Sequence, residues 1–236
     1  MSSGLVFHKM RDNSLIVAGH QPNYLPWLGF FDKMRRADIF IIEDNVQFEW
    51  QGFTNRNRVL TADGVRWLSV PIEHANKPLL INEVKIANRG EPSWGRKHWL
   101  TIKHGYCKTP HWSEFSGFFE DTYEREWKML IDLNIHIIRG IMGFLGIDKP
   151  LVLSSSLGVE GKKSELIVAQ CKKVGADTQL AGDGCKDYID QALFEKEGIK
   201  LVFQNFHQPI YPQINGGFIP NLSVIDYLFN VGSKLW

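Results

Sequence analysis

The sequence predicts an α/β fold in which a mostly parallel sheet is flanked by helices. Short apolar runs end in polar residues, and most of these runs are followed by a helical pattern. The order strand, polar loop, helix occurs first in residues 15–42 and returns in residues 151–204. Alternation of this kind implies right-handed crossovers and parallel strands.

The first repeat of this order is the clearest. The run Leu-Ile-Val-Ala at 15–18 predicts a strand that stops at a glycine. The helix predicted over 28–36 carries two phenylalanines and a methionine at the spacing of an amphipathic helix. The next apolar run, at 39–42, predicts a second strand that ends at Glu43.

Two features interrupt this order. Alternating residues at 56–60 and 65–70, with Asp-Gly between them, predict a β-hairpin. Between about 80 and 145 we expect a mainly helical insertion, with one short strand and a turn over 80–90. Helices of this insertion are predicted at 94–105, 112–124 and 126–145.

The second half returns to the alternating order. Its strands are predicted at 151–153, 178–181 and 200–204, and its helices at 162–174, 186–197 and 223–230. Together the elements predict a Rossmann-like sheet with a β-hairpin and a helical insertion, in one α/β domain over residues 1–236. Residues 1–13 are polar and weakly patterned, and we expect a loose terminal segment there.

Composition excludes several classes of function. The 27 Lys and Arg and the 26 Asp and Glu leave a net charge of +1, which gives no electrostatic basis for binding nucleic acid or a membrane surface. The three cysteines fit no metal-site spacing, and an odd number argues against a disulfide framework. No apolar run reaches the roughly 18 residues of a membrane span, and no signal pattern is present. We therefore expect a cytoplasmic protein.

Polar residues follow the ends of the first two predicted strands. Ligands of open parallel sheets bind at the edge formed by these strand ends. His20 is our candidate general base, although it is equally suited to bonding a nearby carbonyl. Asp44 is the candidate carboxylate that orients it; binding Mg²⁺, binding a ribose or capping a helix are its alternatives. Gln47 suits an amide or a hydroxyl.

Basic residues form two further groups. Arg56 and Arg58 alternate along a predicted strand and so share one face, which suits a phosphate or carboxylate; a solvated edge strand is the alternative. Three serines at 154–156, with Lys162 and Lys163 at a predicted helix start, suggest an anion site. The sequence there resembles the end of a P-loop but lacks its first glycine.

Aromatic and buried polar residues add less specific signals. Many of the eight tryptophans flank polar runs, which indicates either core packing or stacking against a sugar or base. Tyr211 and Gln213 lie in a Pro-rich loop of a kind that often closes over a ligand. Asp226 is the lone charge in a very apolar helix, so we expect it to have a partner.

These motifs together resemble the WbqC-like protein family of bacterial polysaccharide gene clusters. The matching segments run in the same order over nearly the whole chain from residue 15, and they are 20–29, 38, 44–47, 56–58, 162–163, 182–188, 211–213, 218 and 223–232. One departure is the loop Gly-Asp-Gly-Cys at 182–185, where the family pattern leads us to expect Gly-Pro-Ala-Ala.

The resemblance implies an enzyme of O-antigen synthesis, because members are named for that process and some are described as glycine transferases. It implies an N-acyl or N-aminoacyltransferase acting on a nucleotide-linked amino-dideoxysugar. For such an enzyme our hypothesis is that His20 and Asp44 are the catalytic residues. The expected substrate-binding residues are Gln21, Asn23, Tyr24, Trp27, Gln47, Arg56, Asn57, Arg58, Lys162, Lys163, Gly182, Asp183, Tyr188, Tyr211 and Gln213. The expected donor is an acyl-CoA, an acyl or aminoacyl carrier thioester, or an adenylate made from ATP with Mg²⁺. In the last case Asp44 or Asp183 would contact the Mg²⁺ ion. An acyl carrier protein and a second copy in a homodimer are the expected partners.

Two alternatives stay open. The strand, histidine loop and Pro-x-x-Gly helix are similar to a nucleotidylyltransferase-type fold, which favours an ATP-dependent enzyme of that kind. The second histidine of that signature is replaced by Asn23. The third hypothesis is a non-catalytic protein that binds a nucleotide sugar.

Overall fold

A computed structural model describes residues 14–214 and 216–236 of the chain. The loose segment expected at residues 1–13 lies outside this range. The described residues form two compact units. The first comprises the residues up to His20, with Asp32–Glu43 and Lys149–Phe206, and the second comprises Gln21–Phe31, Asp44–Asp148 and His207–Trp236. The single domain that the sequence suggests stays a prediction.

Seven strands and seven helices are assigned within the described residues. The strands are β1 Ile16–His20, β2 Ile39–Ile42, β3 Arg56–Thr61, β4 Gly64–Ser69, β5 Leu151–Leu153, β6 Thr178–Ala181 and β7 Lys200–Phe203. The helices are α1 Leu28–Arg36, α2 Trp94–Tyr106, α3 Trp112–Glu124, α4 Leu130–Phe144, α5 Ser164–Val174, α6 Gln191–Lys196 and α7 Val224–Val231. The predicted α/β class is confirmed.

The first unit is built on a five-stranded parallel sheet with the order β5-β2-β1-β6-β7. All four residues of β2 are buried, as expected for a parallel strand that is covered on both faces. The chain adds β2 and then β5 on one side of β1, and it adds β6 and then β7 on the other. The order therefore reverses between β1 and β6, and this switch point is where such sheets bind ligands.

Helices α5 and α6 complete the core of the first unit. Cys171 of α5 and Phe194 of α6 are fully buried in one cluster with Val17 and Ile41 of the sheet. Helix α6 is shorter than the predicted 186–197, because a 3-10 turn occupies Asp183–Cys185 and Asp190 caps the helix by accepting from the Leu193 N–H at 3.1 Å.

The second unit contains the β3–β4 hairpin and a helical layer. The hairpin is antiparallel, as predicted, and pairs Arg56 with Ser69. Helix α2 approaches β3 closely at Gly105, where a Cβ atom would lie 2.4 Å from the Leu60 carbonyl oxygen. Only a glycine permits this approach.

Two predictions in the insertion are wrong. The short strand expected in 80–90 is a 3-10 turn, Ile81–Glu83, followed by isolated bridges at Lys85 and Ile86. The helix expected from residue 126 begins at Leu130, because residues 128–130 pair with the segment after that turn: Ile86 N–H donates to the Lys128 carbonyl at 2.9 Å and Leu130 N–H to the Val84 carbonyl at 3.0 Å.

None of the helices in the described part of the chain combines the length and apolar character that crossing a bilayer requires.

Candidate functional site

The ends of β1 and β2 meet at the carboxyl edge of the sheet. His20 is the last residue of β1, and its carbonyl accepts a hydrogen bond from the Glu43 N–H at 2.9 Å. The Glu43 carboxylate lies over Gly19, where a Cβ atom would come within 2.6 Å of Oε1. The glycine before His20 is thus explained by the close approach of a carboxylate.

A buried lysine reaches this edge from α1. Lys33 is only 4% exposed, and its Nζ donates to the Gly19 carbonyl at 2.8 Å. The same Nζ lies 3.6 Å from the position of a Cβ atom on Gly182, at the end of β6. Lys33 therefore stands at the switch point, between the carboxyl ends of β1 and β6.

Burial dominates the electrostatics of this lysine. It lowers the pKa of Lys33 to about 8, and Cys185, Glu43 and Asp183 offset part of that effect. Buried groups with a pKa shifted in this way cluster at functional sites.

A second set of hydrogen bonds links the ends of β2 and β5. Gln170 of α5 donates from Nε2 to Glu43 Oε2 at 2.9 Å and to Ser154 Oγ at 2.8 Å. We call the residues Gly19, Lys33, Glu43, Ser154, Gln170 and Gly182 the strand-end cluster. Of the cluster, the sequence suggested Gly182, Glu43 and Ser154 but not Lys33 or Gln170.

The weak sequence signal for Lys33 was its position on the apolar stripe of α1. It lies three residues after the fully buried Phe30 and one before the fully buried Met34. A cation at such a position needs an internal acceptor.

Asp183 stabilises a loop in the first unit. Its carboxylate accepts from Lys186 Nζ at 2.8 Å and from the N–H groups of Asn205 and Phe206 at 3.2 and 3.3 Å. The hydrogen bond from Lys186 is the main reason that the pKa of Asp183 is lowered. Contact of Asp183 with Mg²⁺ stays a prediction.

Three other residues of the first unit that the sequence suggested as binding residues are exposed. Lys162 and Lys163 are exposed just before α5, and Tyr188 is exposed with its hydroxyl 3.1 Å from Cys185 Sγ. The hydroxyl of Ser154, which was expected to join the two lysines, bonds Gln170 instead. Anion binding by Lys162 and Lys163 stays a prediction.

In the second unit, several predicted binding residues hold the loop 21–27. Leu25 has a φ of +44°, a strained value for a branched side chain. Asn57 fixes it by donating to the carbonyls of Leu25 at 2.7 Å and Tyr24 at 3.3 Å. Gln21 Oε1 lies 3.4 Å from the Thr54 hydroxyl, which is a long contact.

The side chains of this loop are largely enclosed. Asn23 is 5% exposed, and Trp27 is half-buried and bridges to Ser223. The fully buried Tyr24 places its hydroxyl 2.8 Å from His98 Nδ1 and 2.5 Å from the Tyr123 hydroxyl. Burial lowers the pKa of His98 to about 4, so this histidine is neutral at physiological pH. Substrate contact by Tyr24 stays a prediction.

Arg56 and Arg58 stand on one face of the hairpin with Trp67, and we call these three residues the arginine face. Their guanidinium carbons lie 4.6 and 5.8 Å from the centre of the Trp67 ring. Each donates to a carbonyl, Arg56 to Gln51 at 2.7 Å and Arg58 to Asn221 at 3.0 Å. No ion pair joins either arginine to a carboxylate within the described residues, so the face is positive. Its role in holding phosphates stays a prediction.

Tyr211 and Gln213 belong to a buried network around Asp226. The Asp226 carboxylate accepts from Tyr106 and Tyr211 at 2.9 Å each and from Gln213 at 2.8 Å. These donors are the partners that a lone charge in an apolar helix requires. Burial nevertheless raises the pKa of Asp226 above its usual value.

Asp44 is 2% exposed, and Asn82 lies against it with Nδ2 3.4 Å from its carboxylate and its N–H 2.9 Å from its carbonyl. Gln47 is exposed and lines a cleft of the second unit. Among residues 14–214 and 216–236, no three His, Cys, Asp or Glu side chains come together in a way that would hold a metal ion.

Comparison with known proteins identifies the family of this chain. Residues 21–235 match the model of the WbqC-like protein family, so the matched range begins one residue after His20. The chain is also similar to the uncharacterized protein Rv1507c of Mycobacterium tuberculosis, at 29% identity over 220 residues that cover 92% of this chain and 94% of the relative. No solved structure matches the chain.

Proposed function

Because the chain belongs to the WbqC-like protein family, we propose that it is a transferase that acylates or aminoacylates the amino group of a nucleotide-linked amino-dideoxysugar. The observation that carries the proposal is the switch point of the first unit, with His20 and the strand-end cluster at its edge. Open α/β sheets bind nucleotides and related ligands at this point.

The chemistry requires an uncharged amine, an activated carboxyl group and an acceptor for the amine proton. The amine nitrogen attacks the acyl carbon, the new C–N bond forms as the bond to the leaving group breaks, and one proton leaves the nitrogen. His20 is the proposed acceptor of this proton, because it stands at the end of β1 beside the switch point.

Lys33 has a positioning role in this proposal. Its ammonium holds the Gly19 carbonyl and lies against Gly182, so it fixes the carboxyl ends of β1 and β6 at the proposed ligand site. Glu43 fixes the end of β1 from the β2 side through its N–H bond to the His20 carbonyl. Such support keeps catalytic groups in a productive geometry.

Replacement of His20 tests the assignment of the base. General acid–base catalysis contributes typically 10²- to 10⁴-fold, so His20→Ala should lower kcat by about that factor. His104→Ala is the matched control, because His104 is an exposed histidine of α2. Thermal unfolding of both variants verifies the fold. Full turnover by folded His20→Ala would exclude His20 as the base.

The donor is assigned by the same assay. Acyl-CoA, an acyl or aminoacyl carrier thioester, and ATP with Mg²⁺ and a free acid are supplied in turn with the same nucleotide sugar. A carrier protein partner and a homodimer remain predictions from the sequence.

A second candidate is nucleotidylyl transfer from ATP. The observation that favours it is the sheet order, which in chain sequence is the 3-2-1-4-5 order of nucleotide-binding folds. Release of pyrophosphate in the absence of any amine acceptor would select this activity. Tight binding of a nucleotide sugar with no turnover of any donor would instead indicate a binding protein.

A further inference from the structure

A cleft of about 430 Å³ opens on the second unit. Of the two residues proposed to be catalytic, Asp44 is close in sequence to the residues that line it and His20 is not. Its volume lies in the range of small-ligand sites. The side chains that define it come from two segments, and they are Gln47, Trp50, Ile72, His74, Asn76 and Lys77.

Both segments are tied down by backbone hydrogen bonds. Phe48 N–H donates to the Leu79 carbonyl at 2.9 Å, which joins one wall to the other. Glu73 N–H donates to the Lys85 carbonyl at 2.9 Å, and Ile72 bridges to Ile86. The walls of the cleft are therefore formed by anchored backbone.

An aromatic ring is presented on one wall. Trp50 is 57% exposed, which is a large apolar exposure for an indole. The buried Phe48 ring supports it edge-on, with ring centres 5.7 Å apart at 76°, and the His74 ring lies 6.4 Å away. This packing fixes the orientation of the indole without covering it.

The polar groups of the cleft carry little net charge. Gln47 and Asn76 supply amides that both donate and accept hydrogen bonds. No carboxylate is among the residues that line the cleft, and its lysine, Lys77, is exposed with Nζ 3.7 Å from Glu83. The lining therefore offers no anion for an amine, and its amides and indole fit a ligand with hydroxyl groups and one apolar face.

We infer that this cleft binds a saccharide ring. The C–H face of the ring stacks on Trp50, and the amides of Gln47 and Asn76 bond its hydroxyls. The inference does not depend on transferase activity, and two sources of the ring share this chemistry: the sugar of a nucleotide-linked substrate, and a sugar without a nucleotide.

The test follows the indole N–H signals of isotope-labelled protein by NMR. The chain has eight tryptophans, and the signal missing from Trp50→Ala identifies Trp50. The probes are dTDP, a dTDP-linked N-acetylated 4-amino-4,6-dideoxyglucose, and the methyl glycoside of the same sugar. We expect a saccharide to shift the Trp50 signal and its affinity to fall at least tenfold in Trp50→Ala. Leu235→Ala is the control, because Leu235 is another exposed apolar side chain that does not line the cleft, and saccharide affinity should be unchanged in it.

The pattern of binding identifies the source of the ring. A shift of Trp50 by the dTDP-sugar but not by dTDP or the methyl glycoside supports the cleft as a subsite for a nucleotide-linked sugar. A shift by the methyl glycoside supports a site for sugars that lack a nucleotide. Failure of both saccharides to move the Trp50 signal, or equal affinity in Trp50→Ala, would overturn the inference whether or not the protein is a transferase.

Discussion

Lys33 loses nearly all of its contact with solvent in the folded chain. One carbonyl and two nearby carboxylates compensate only in part for the lost hydration of its ammonium. The sequence gives only a weak signal of this burial, the position of Lys33 on the apolar stripe of α1. Lys33, Arg35 and Arg36 all fall in the last turns of α1, where cations normally stay in water. The approach of Gly19 and Gly182 in three dimensions is what gives Lys33 its internal partners.

Lys33 should leave a signature in the pH dependence of stability. Its pKa is about 8 in the folded chain, against an ordinary lysine value of 10.5 that applies in the unfolded chain. Between these values the unfolded chain binds a proton that the folded chain does not, so the free energy of unfolding should rise with pH, by about 3 kcal/mol over the full window. Urea unfolding at several pH values in this range measures the rise.

Lys33→Met should remove this rise, whereas Lys103→Met, at an exposed lysine of α2, should keep it. The same slope in wild type and Lys33→Met would show that Lys33 keeps its ordinary pKa when folded.

Elements bounded by clear breaks were predictable from the sequence. Helix α1 and strand β2 begin and end at the predicted residues 28–36 and 39–42, because an amphipathic stripe and an apolar run are separated by Ala37 and Asp38. Helix α4 begins later than predicted because backbone groups of Lys128 and Leu130 bond to Ile86 and Val84, a pairing that no local pattern encodes.

Two glycine-to-alanine substitutions, one in α2 and one in α3, should have opposite effects on the free energy of unfolding. Gly105→Ala would place a methyl group 2.4 Å from the Leu60 carbonyl oxygen, and overpacking of this kind should cost about 1–3 kcal/mol. Gly117→Ala, in α3, meets nothing within 4 Å and should stabilise the protein by about 1 kcal/mol through helix propensity. Chemical denaturation of both variants measures the difference. Equal effects would mean that α2 does not approach β3 this closely.

The anchoring of Tyr24 on His98 of α2 predicts sensitivity to acid. Burial lowers the pKa of His98 to about 4 in the folded chain, against an ordinary histidine value of 6.5. Between these values the unfolded chain binds a proton that the folded chain does not, so stability should fall as the pH drops through them. His98→Gln retains a hydrogen-bonding group and lacks the titration, so its stability should fall less steeply. His104→Gln should behave as wild type does. Unfolding in urea at pH 6.5 and pH 4.5 compares the three proteins, and an unchanged slope in His98→Gln would contradict the assignment.

At the scale of the whole chain, the α/β class followed from alternation, but the order of the strands did not. The sequence places polar residues after each strand, yet it does not say that β6 adds beside β1 and so creates a switch point there. That order determines which strand ends meet. The sequence therefore suggested His20 and Gly182 separately, and it did not place Lys33 between Gly19 and Gly182. Partners such as Gln170 come from helices distant in sequence.

The most direct test of the proposed function is the mass of the nucleotide sugar after incubation with the protein. A dTDP-linked 4-amino-4,6-dideoxysugar is supplied with each class of donor, carrying acetyl or glycyl groups, and the product is analysed by mass spectrometry. We predict that the sugar gains one acyl or aminoacyl group with one class of donor, and that His20→Ala greatly slows this gain. An unmodified nucleotide sugar with every donor, in the presence of folded protein, would contradict the transferase assignment.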